Sequence, residues 1–510
     1  MGKSNRLFGE FPPVTKQQWE EIIHKDLKGA PYKKLISKTP EGIDIKPFYH
    51  SDDMQALDYL DTLPGNFPYT RSGKIQLNEW EIRQDIQVED ISVANKKAIH
   101  ALHWGATALG FIIPDEKELT KEDFDNLLKG IYFECIHINF ITTSQAKSII
   151  GYLRQAAMEK NISGERIIGS TGTDILGFLS TNGYLNGTYE RSIDDLAILV
   201  KESSSIFPFL KTLPIHAYHA HNAGGSAVQE LGIALALVSE YADKLTAKGL
   251  NIDEIAPYFQ LNFASGPSYF MEIAKYRAAR LLFANLVKAW EPKSENSLRT
   301  YIHCTTSAWN QTVYDPYVNM LRGTTESMAS VLGGIDSLTV LPFDTAFRKT
   351  TKFSERIARN IQIILKEEAH LNKVVDPAGG SYYIENLTNT LAEEAWKVFL
   401  HIEDNGGFYE ALKKGTIQQM LKETARQRDM NIAVRREILL GTNQYPNNQE
   451  TIHEDFNHSI AFPDASGSHA KEMEPIETYR GSMAFEKLRL KTEKAQKKPV
   501  VFLLTYGNLA

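Results

Sequence analysis

The 510-residue sequence holds only two cysteines, Cys135 and Cys304. Two thiols cannot build a disulfide framework or a four-cysteine metal site. Both lie in apolar or Thr-rich stretches, where buried free thiols are expected. No run approaches the ~18 apolar residues of a membrane-spanning helix. The N-terminal MGKSNRLFGEFPP lacks an apolar core of signal-peptide length. It carries Arg6 where a myristoylation site places Ser or Thr. The expected location is therefore the cytoplasm. Positive charge is not in excess either. Lys plus Arg is 56 and Asp plus Glu 63, a net charge of −7, with no global pull toward nucleic acid or an anionic membrane. The phosphate-loop, G-x-G-x-x-G, G-x-S-x-G and H-E-x-x-H patterns are all absent. So are internal repeats of 20–50 residues and sustained heptads.

What is present is an ordinary globular composition, 42% hydrophobic and 23% charged, at a length that suggests about three structural units. Residues 1–80 read as an arm or interface segment. A helix is expected after the Thr15 cap, with Trp19, Ile22 and Ile23 on one face. It ends at Lys28-Gly29, before a turn at Thr39-Pro-Glu-Gly and a short strand from Ile43. From about residue 100, apolar β-branched runs alternate with amphipathic stretches. The runs are 106–113, 131–140, 166–170, 215–220, 258–263, 301–306, 337–342 and 373–376. Eight such runs predict a (β/α)8 barrel over 81–397 rather than an open sheet. Residues 398–498 read as a helical linker, with a break at Gly406-Gly407 and a solvated stretch over 443–467. Residues 499–510, starting Pro-Val-Val-Phe-Leu-Leu, read as the first strand of a truncated C-terminal α/β domain.

Several residues could carry chemistry. His216, His219 and His221 form the densest histidine cluster. On a strand, His219 and His221 share a face and His216 points away, which does not make a convergent zinc site. His219 at a barrel mouth is the stronger reading. Asp174, Asp344 and Asp376 fall near strand ends, where carboxylates act as general acids and bases but more often cap helices. Gly224-Gly225-Ser226 and Gly379-Gly380-Ser381 read as turns with a Ser cap rather than phosphate cradles.

Longer segments resemble the barrel of the methylmalonyl-CoA mutase family. They are Thr39-Pro-Glu-Gly-Ile, Trp80-Glu-Ile-Arg-Gln84, Ala217-Tyr-His-Ala-His-Asn-Ala-Gly224, Tyr269–Arg280, Thr306-Ser-Ala-Trp309, Phe353–Asn360 and Val375–Tyr383. The resemblance implies a (β/α)8 barrel, a helical linker and a flavodoxin-like cobalamin domain. Catalytic members read Ile-Arg-Gln-Tyr, where this chain has Asp85 in place of the Tyr. Their acyl-binding Gln and Arg align with Gly172 and Asn182. The Gln of their His-Ser-Gln-Thr segment aligns with Thr305, and an adenosyl-contacting Gln and Glu align with Asp336 and Thr345. Only the Tyr-His pair survives, as Tyr218 and His219. No Asp-x-His-x-x-Gly cobalt-ligating loop appears.

Losing an Arg that pairs with a substrate carboxylate costs ~3–5 kcal/mol, and each ~1.4 kcal/mol is a factor of ten in rate. Asp85 is expected to add repulsion against an acidic substrate. The chain thus resembles a non-catalytic small subunit with vestigial Tyr218 and His219 and no metal. Its partner would be a large catalytic subunit that binds adenosylcobalamin and, with it, interconverts methylmalonyl-CoA and succinyl-CoA. The alternatives are a catalytic acyl-CoA mutase barrel using a separate cobalamin subunit, and a barrel that holds CoA without turnover.

Overall fold

A computed structural model describes residues 12–114, 118–142, 144–171, 174–463 and 471–496. Its centre is a parallel barrel of β1 Glu81–Gln87, β2 Ala108–Ile112, β3 His137–Ile141, β4 Ile168–Thr171, β5, β6 Phe259–Ser265, β7 Tyr301–Thr306 and β8 Ser337–Thr339. Strand β5 comes in two pieces, Leu210–Lys211 and Leu213–His216, separated by Thr212. The first piece pairs with β4 and the second with β6, while β1 pairs with both β2 and β8. Two pieces of one strand therefore close an eight-stranded ring. Each strand is followed by at least one helix on the outside, as the alternating pattern predicts.

One of the expected strands needs correction. Lys373–Asp376 is a turn, its Asp376 in the left-handed region at φ 48. The strand that completes the count is β1, whose polar Glu-Ile-Arg-Gln-Asp-Ile-Gln hides the usual apolar signal. Ile82 and Ile86 join the apolar core, while Arg83 and Asp85 face the barrel cavity. In the arm, Thr15 caps the helix Lys16–Asp26 through a capping box with Gln18, and Ser37–Lys38 pairs with Asp44–Ile45 in a hairpin.

The helix Ala227–Ala247 is almost wholly buried between barrel and helix Tyr382–Asp404. Close approach there depends on Gly232, where a Cβ would meet Val398 at 2.6 Å. The linker continues as helices Gly407–Lys413 and Thr416–Ala433, after left-handed Gly406 and Gly407. The stretch expected to be solvated is partly packed: Asn443 is buried, and Ala461 and Phe462 join a small core with Val313 and Phe347. Residues 464–467 of that stretch, and the expected strand at 499–510, lie outside the described residues. Cys304 is buried, but Cys135 is exposed at the end of a single 3-10 turn, contrary to its apolar sequence context. Among the described residues, no helix is long and apolar enough to cross a membrane.

Arm and barrel meet at one buried ion cluster. Arg277, on the helix Tyr269–Lys288 that follows β6, bonds Asp376 and, at 2.6 Å, Glu385. Arg71 of the arm reaches the same two carboxylates at 3.5 and 3.7 Å. Its neighbour Tyr59 donates to the Glu385 carbonyl. Replacing Arg277 by Met leaves two buried carboxylates with only the distant Arg71. The expected loss is about 3–5 kcal/mol of stability, read as a lower midpoint in urea denaturation.

Candidate functional site

Inward positions alternate along each strand. Barrel interiors are commonly filled by Val, Ile and Leu. Here the corresponding side chains include Arg83, Asp85, Ser170, His216, Gln260, Asn262, His303 and Thr305, around a cavity of about 300 Å3. Arg83 Nε donates to Asp85 Oδ1 at 2.6 Å, and Thr339 donates to the other Asp85 oxygen at 3.3 Å. Beside this pair β2 carries Gly110. A Cβ there would lie 1.9 Å from Asp85 Oδ1 and 2.8 Å from the Arg83 guanidinium. The bare backbone makes the space into which the ion pair folds.

The rest of the lining is neutral or internally paired. Gln260 donates to Asn262 Oδ1 at 2.7 Å, leaving Asn262 Nδ2 without a partner. His303 lies between the hydroxyls of Ser337 and Thr305, 3.1 and 3.4 Å away. Burial, with Arg83 and His216 nearby, holds its imidazole well below the ordinary range. His216 ends β5 and is held by Asp174, which caps the helix Ile175–Asn182. Asp174 Oδ2 accepts the His216 backbone N–H at 2.8 Å and lies 3.4 Å from His216 Nδ1. Asp174 Oδ1 accepts from Tyr241 at 2.8 Å. Burial pushes the Asp174 carboxyl up, but bonds from His216 and the Gly177 amide outweigh it and keep it below the usual range.

The structure separates the histidines that the sequence groups. His219 and His221 are not on a strand: Tyr218–Asn222 is a short helix after β5. His221 turns outward to Ser307 Oγ at 2.8 Å. His219 packs against Tyr218, ring centroids 4.4 Å apart, and burial beside His216 pushes its imidazole down to about 3. The chain bends into a helix here because strand pairing stops at His216.

Of the residues singled out from the sequence, Asp85, Tyr218 and Thr305 line the cavity. Asn182 donates to Phe178 O at 3.0 Å within its own helix. Thr345 donates to Pro342 O in its own loop. Asp336 precedes β8, at the opposite end of the barrel from the mouth, where it accepts the Ile302 amide at 2.8 Å. Gly172 lies outside the described residues. Asp85, expected to repel an acidic substrate, is ion-paired with Arg83 at 2.6 Å. Asp344 is buried against Arg348 at 3.0 Å. Ser226 and Ser381 cap their helices. Sequence reasoning passed over Gly110, His303 and Asn262, although the alternation Gln260-Leu-Asn-Phe-Ala264 carries a period-two signal.

The linker crosses the mouth rim. Met473 and Ile476 amides donate to Gly183 O and Ser180 O, Tyr479 N to Asn222 O, and Gly481 N to Trp309 O. Trp309 is fully buried, with the Arg428 guanidinium 3.4 Å from its ring centroid. Next to it, Glu326 accepts from Ser307 N and Asn310 Nδ2, and burial pushes its carboxyl up to about 8.

A family model described as methylmalonyl-CoA mutase matches residues 38–115 and 119–498. The chain is 40% identical over 512 residues to the methylmalonyl-CoA mutase small subunit of Porphyromonas gingivalis, covering 100% of this chain and 82% of that protein. It is 34% identical over 456 residues to the methylmalonyl-CoA mutase of Rhizobium meliloti, covering 84% of this chain and 64% of that one. The mitochondrial methylmalonyl-CoA mutase of Homo sapiens is 34% identical over 466 residues, covering 86% and 62%.

Two outcomes follow from the geometry. Gly110→Ala forces the Arg83–Asp85 pair apart, at an expected cost of about 1–3 kcal/mol, measurable by chemical denaturation. Glu326 binds a proton in the folded state that the unfolded chain releases near the ordinary 4.5. Its contribution is therefore complete below that pH and is lost as pH rises toward about 8. The unfolding free energy of Glu326→Gln is expected to decline less than that of the wild type between about pH 5 and about pH 8.

Proposed function

The chain belongs to the methylmalonyl-CoA mutase family, and from that premise we propose that it is the small, non-catalytic subunit of a heterodimeric, adenosylcobalamin-dependent mutase. In this reading the complex interconverts methylmalonyl-CoA and succinyl-CoA in the cytoplasm, and a large partner subunit performs the chemistry. One observation carries the reading. Among the described residues lining the barrel cavity, the one permanent cation is Arg83, and Asp85 already holds it at 2.6 Å. A substrate carboxylate entering here meets no free positive charge, and burying a carboxylate unpaired is strongly unfavourable.

The cofactor does not fit this chain's residues. Of the two positions aligned with adenosyl contacts, Asp336 is engaged at the far end of the barrel and Thr345 bonds its own loop. Adenosylcobalamin is therefore assigned to the partner subunit. Tyr218 and His219 are read as vestigial. What this chain supplies is a rigid body: a barrel that satisfies its own interior charges, and an arm (residues 1–80) offered to the partner. The arm helix buries none of its residues and leaves Trp19 and Ile22 47% and 58% exposed, as a docking element does. The 40% identity to a protein named as a small subunit supports the same assignment. A second reading, a barrel that holds CoA without turnover, is favoured by the persistence of the 300 Å3 cavity.

Co-purification with a large mutase subunit tests the partner, and a chain that stays monomeric beside it ends the proposal. In the holoenzyme, His219→Ala is expected to leave kcat within about twofold, since His219 packs on Tyr218 and His216 behind the cavity lining. A hundredfold loss would mean an active barrel. Calorimetry of the chain alone is expected to show no tight binding of methylmalonyl-CoA or adenosylcobalamin. Tight binding of both would favour a catalytic barrel, and tight CoA binding alone the second reading.

A further inference from the structure

The barrel cavity is charge-balanced yet incompletely satisfied. Arg83 and Asp85 neutralise each other. His216 also lines the cavity, its Nδ1 facing Asp174 at 3.4 Å. Asn262 is 3% exposed, and its Nδ2 donor has no partner. Asn222, which also lines the cavity, has a buried Oδ1 acceptor without a partner. Tyr218 is a further lining residue. A buried donor and a buried acceptor left open on residues that line one cavity of about 300 Å3 are what a bound polar molecule satisfies.

We propose that this cavity binds a small neutral molecule carrying both hydrogen-bond donors and acceptors, of the hydroxy-amide or diol class, and rejects carboxylates of the same shape. The ligand's amide or hydroxyl hydrogens face Asn222 Oδ1, and its carbonyl or hydroxyl oxygen accepts from Asn262 Nδ2. A carboxylate of equal size places a charge against the Asn222 acceptor and a guanidinium already ion-paired with Asp85. This selectivity is a property of the isolated chain and holds whether or not the partner assignment above is right.

The test uses a matched pair of probes, lactamide and lactate, which differ chiefly in charge and donor count. Ligand-observed NMR titration of the full chain at physiological ionic strength is expected to show lactamide binding, with lactate weaker by at least about tenfold. Asn262→Ala should weaken lactamide about tenfold by removing its donor, with a lowered melting temperature because Gln260 loses its acceptor. Equal binding of the two probes, or no binding of lactamide, overturns the proposal. So does an Asn262→Ala protein that folds and binds as before. If that variant does not fold, the two probes on the wild-type chain decide.

Discussion

An arginine inside a barrel sets the terms for everything around it. Arg83 is 5% exposed, too deep to reach bulk water, so the fold must supply its counter-charge. Asp85, two residues along the same strand and hence on the same face, does so at 2.6 Å. The pair needs room, which the missing side chain of Gly110 gives, and it needs acceptors and donors around it, which Thr339 and the other polar inward residues give. An interior filled by Val and Leu would strand the guanidinium. The polar lining, the residual cavity and the absence of a free cation are thus consequences of one local arrangement. The same arrangement supports reading this barrel as a support rather than a reaction vessel.

Much of the scaffold was legible in the sequence, for a physical reason that differs from element to element. Long helices such as Ala227–Ala247 announce themselves through a Ser cap and continuous burial. The arm helix does so through Thr15 and Gln18. Strands covered on both sides read as apolar runs. Strand β1 does not, because one of its faces looks into a polar interior, and Lys373–Asp376 takes its place in a count made from apolar runs. That segment pairs with no strand: Val374 is exposed, and Asp376 bonds Arg277. The bend after His216 was hidden too, since Ile215–Ala220 looks extended in sequence and only the end of pairing shows where the helix starts.

The candidate site was legible in part. Asp85, Tyr218 and Thr305 do line one cavity, whereas Asn182, Thr345 and Asp336 engage neighbours elsewhere. Sequence alone invited a repulsive Asp85. It could not show Arg83 closing on it, because that contact depends on the width left by Gly110 on the adjacent strand.

Trp309 has a mechanical meaning beyond its place in the rim. It is gripped from three directions: Arg428 stacks on its face, Tyr479 meets its edge, and Gly481 approaches so closely that a Cβ would lie 2.7 Å from the ring. Two of these groups come from the crossing segment and one from helix Thr416–Ala433, while the indole itself hangs from β7. Pulling the linker off the barrel would empty the largest fully buried side chain of its surroundings in one step. Linker and barrel therefore open together or not at all, as one cooperative unit.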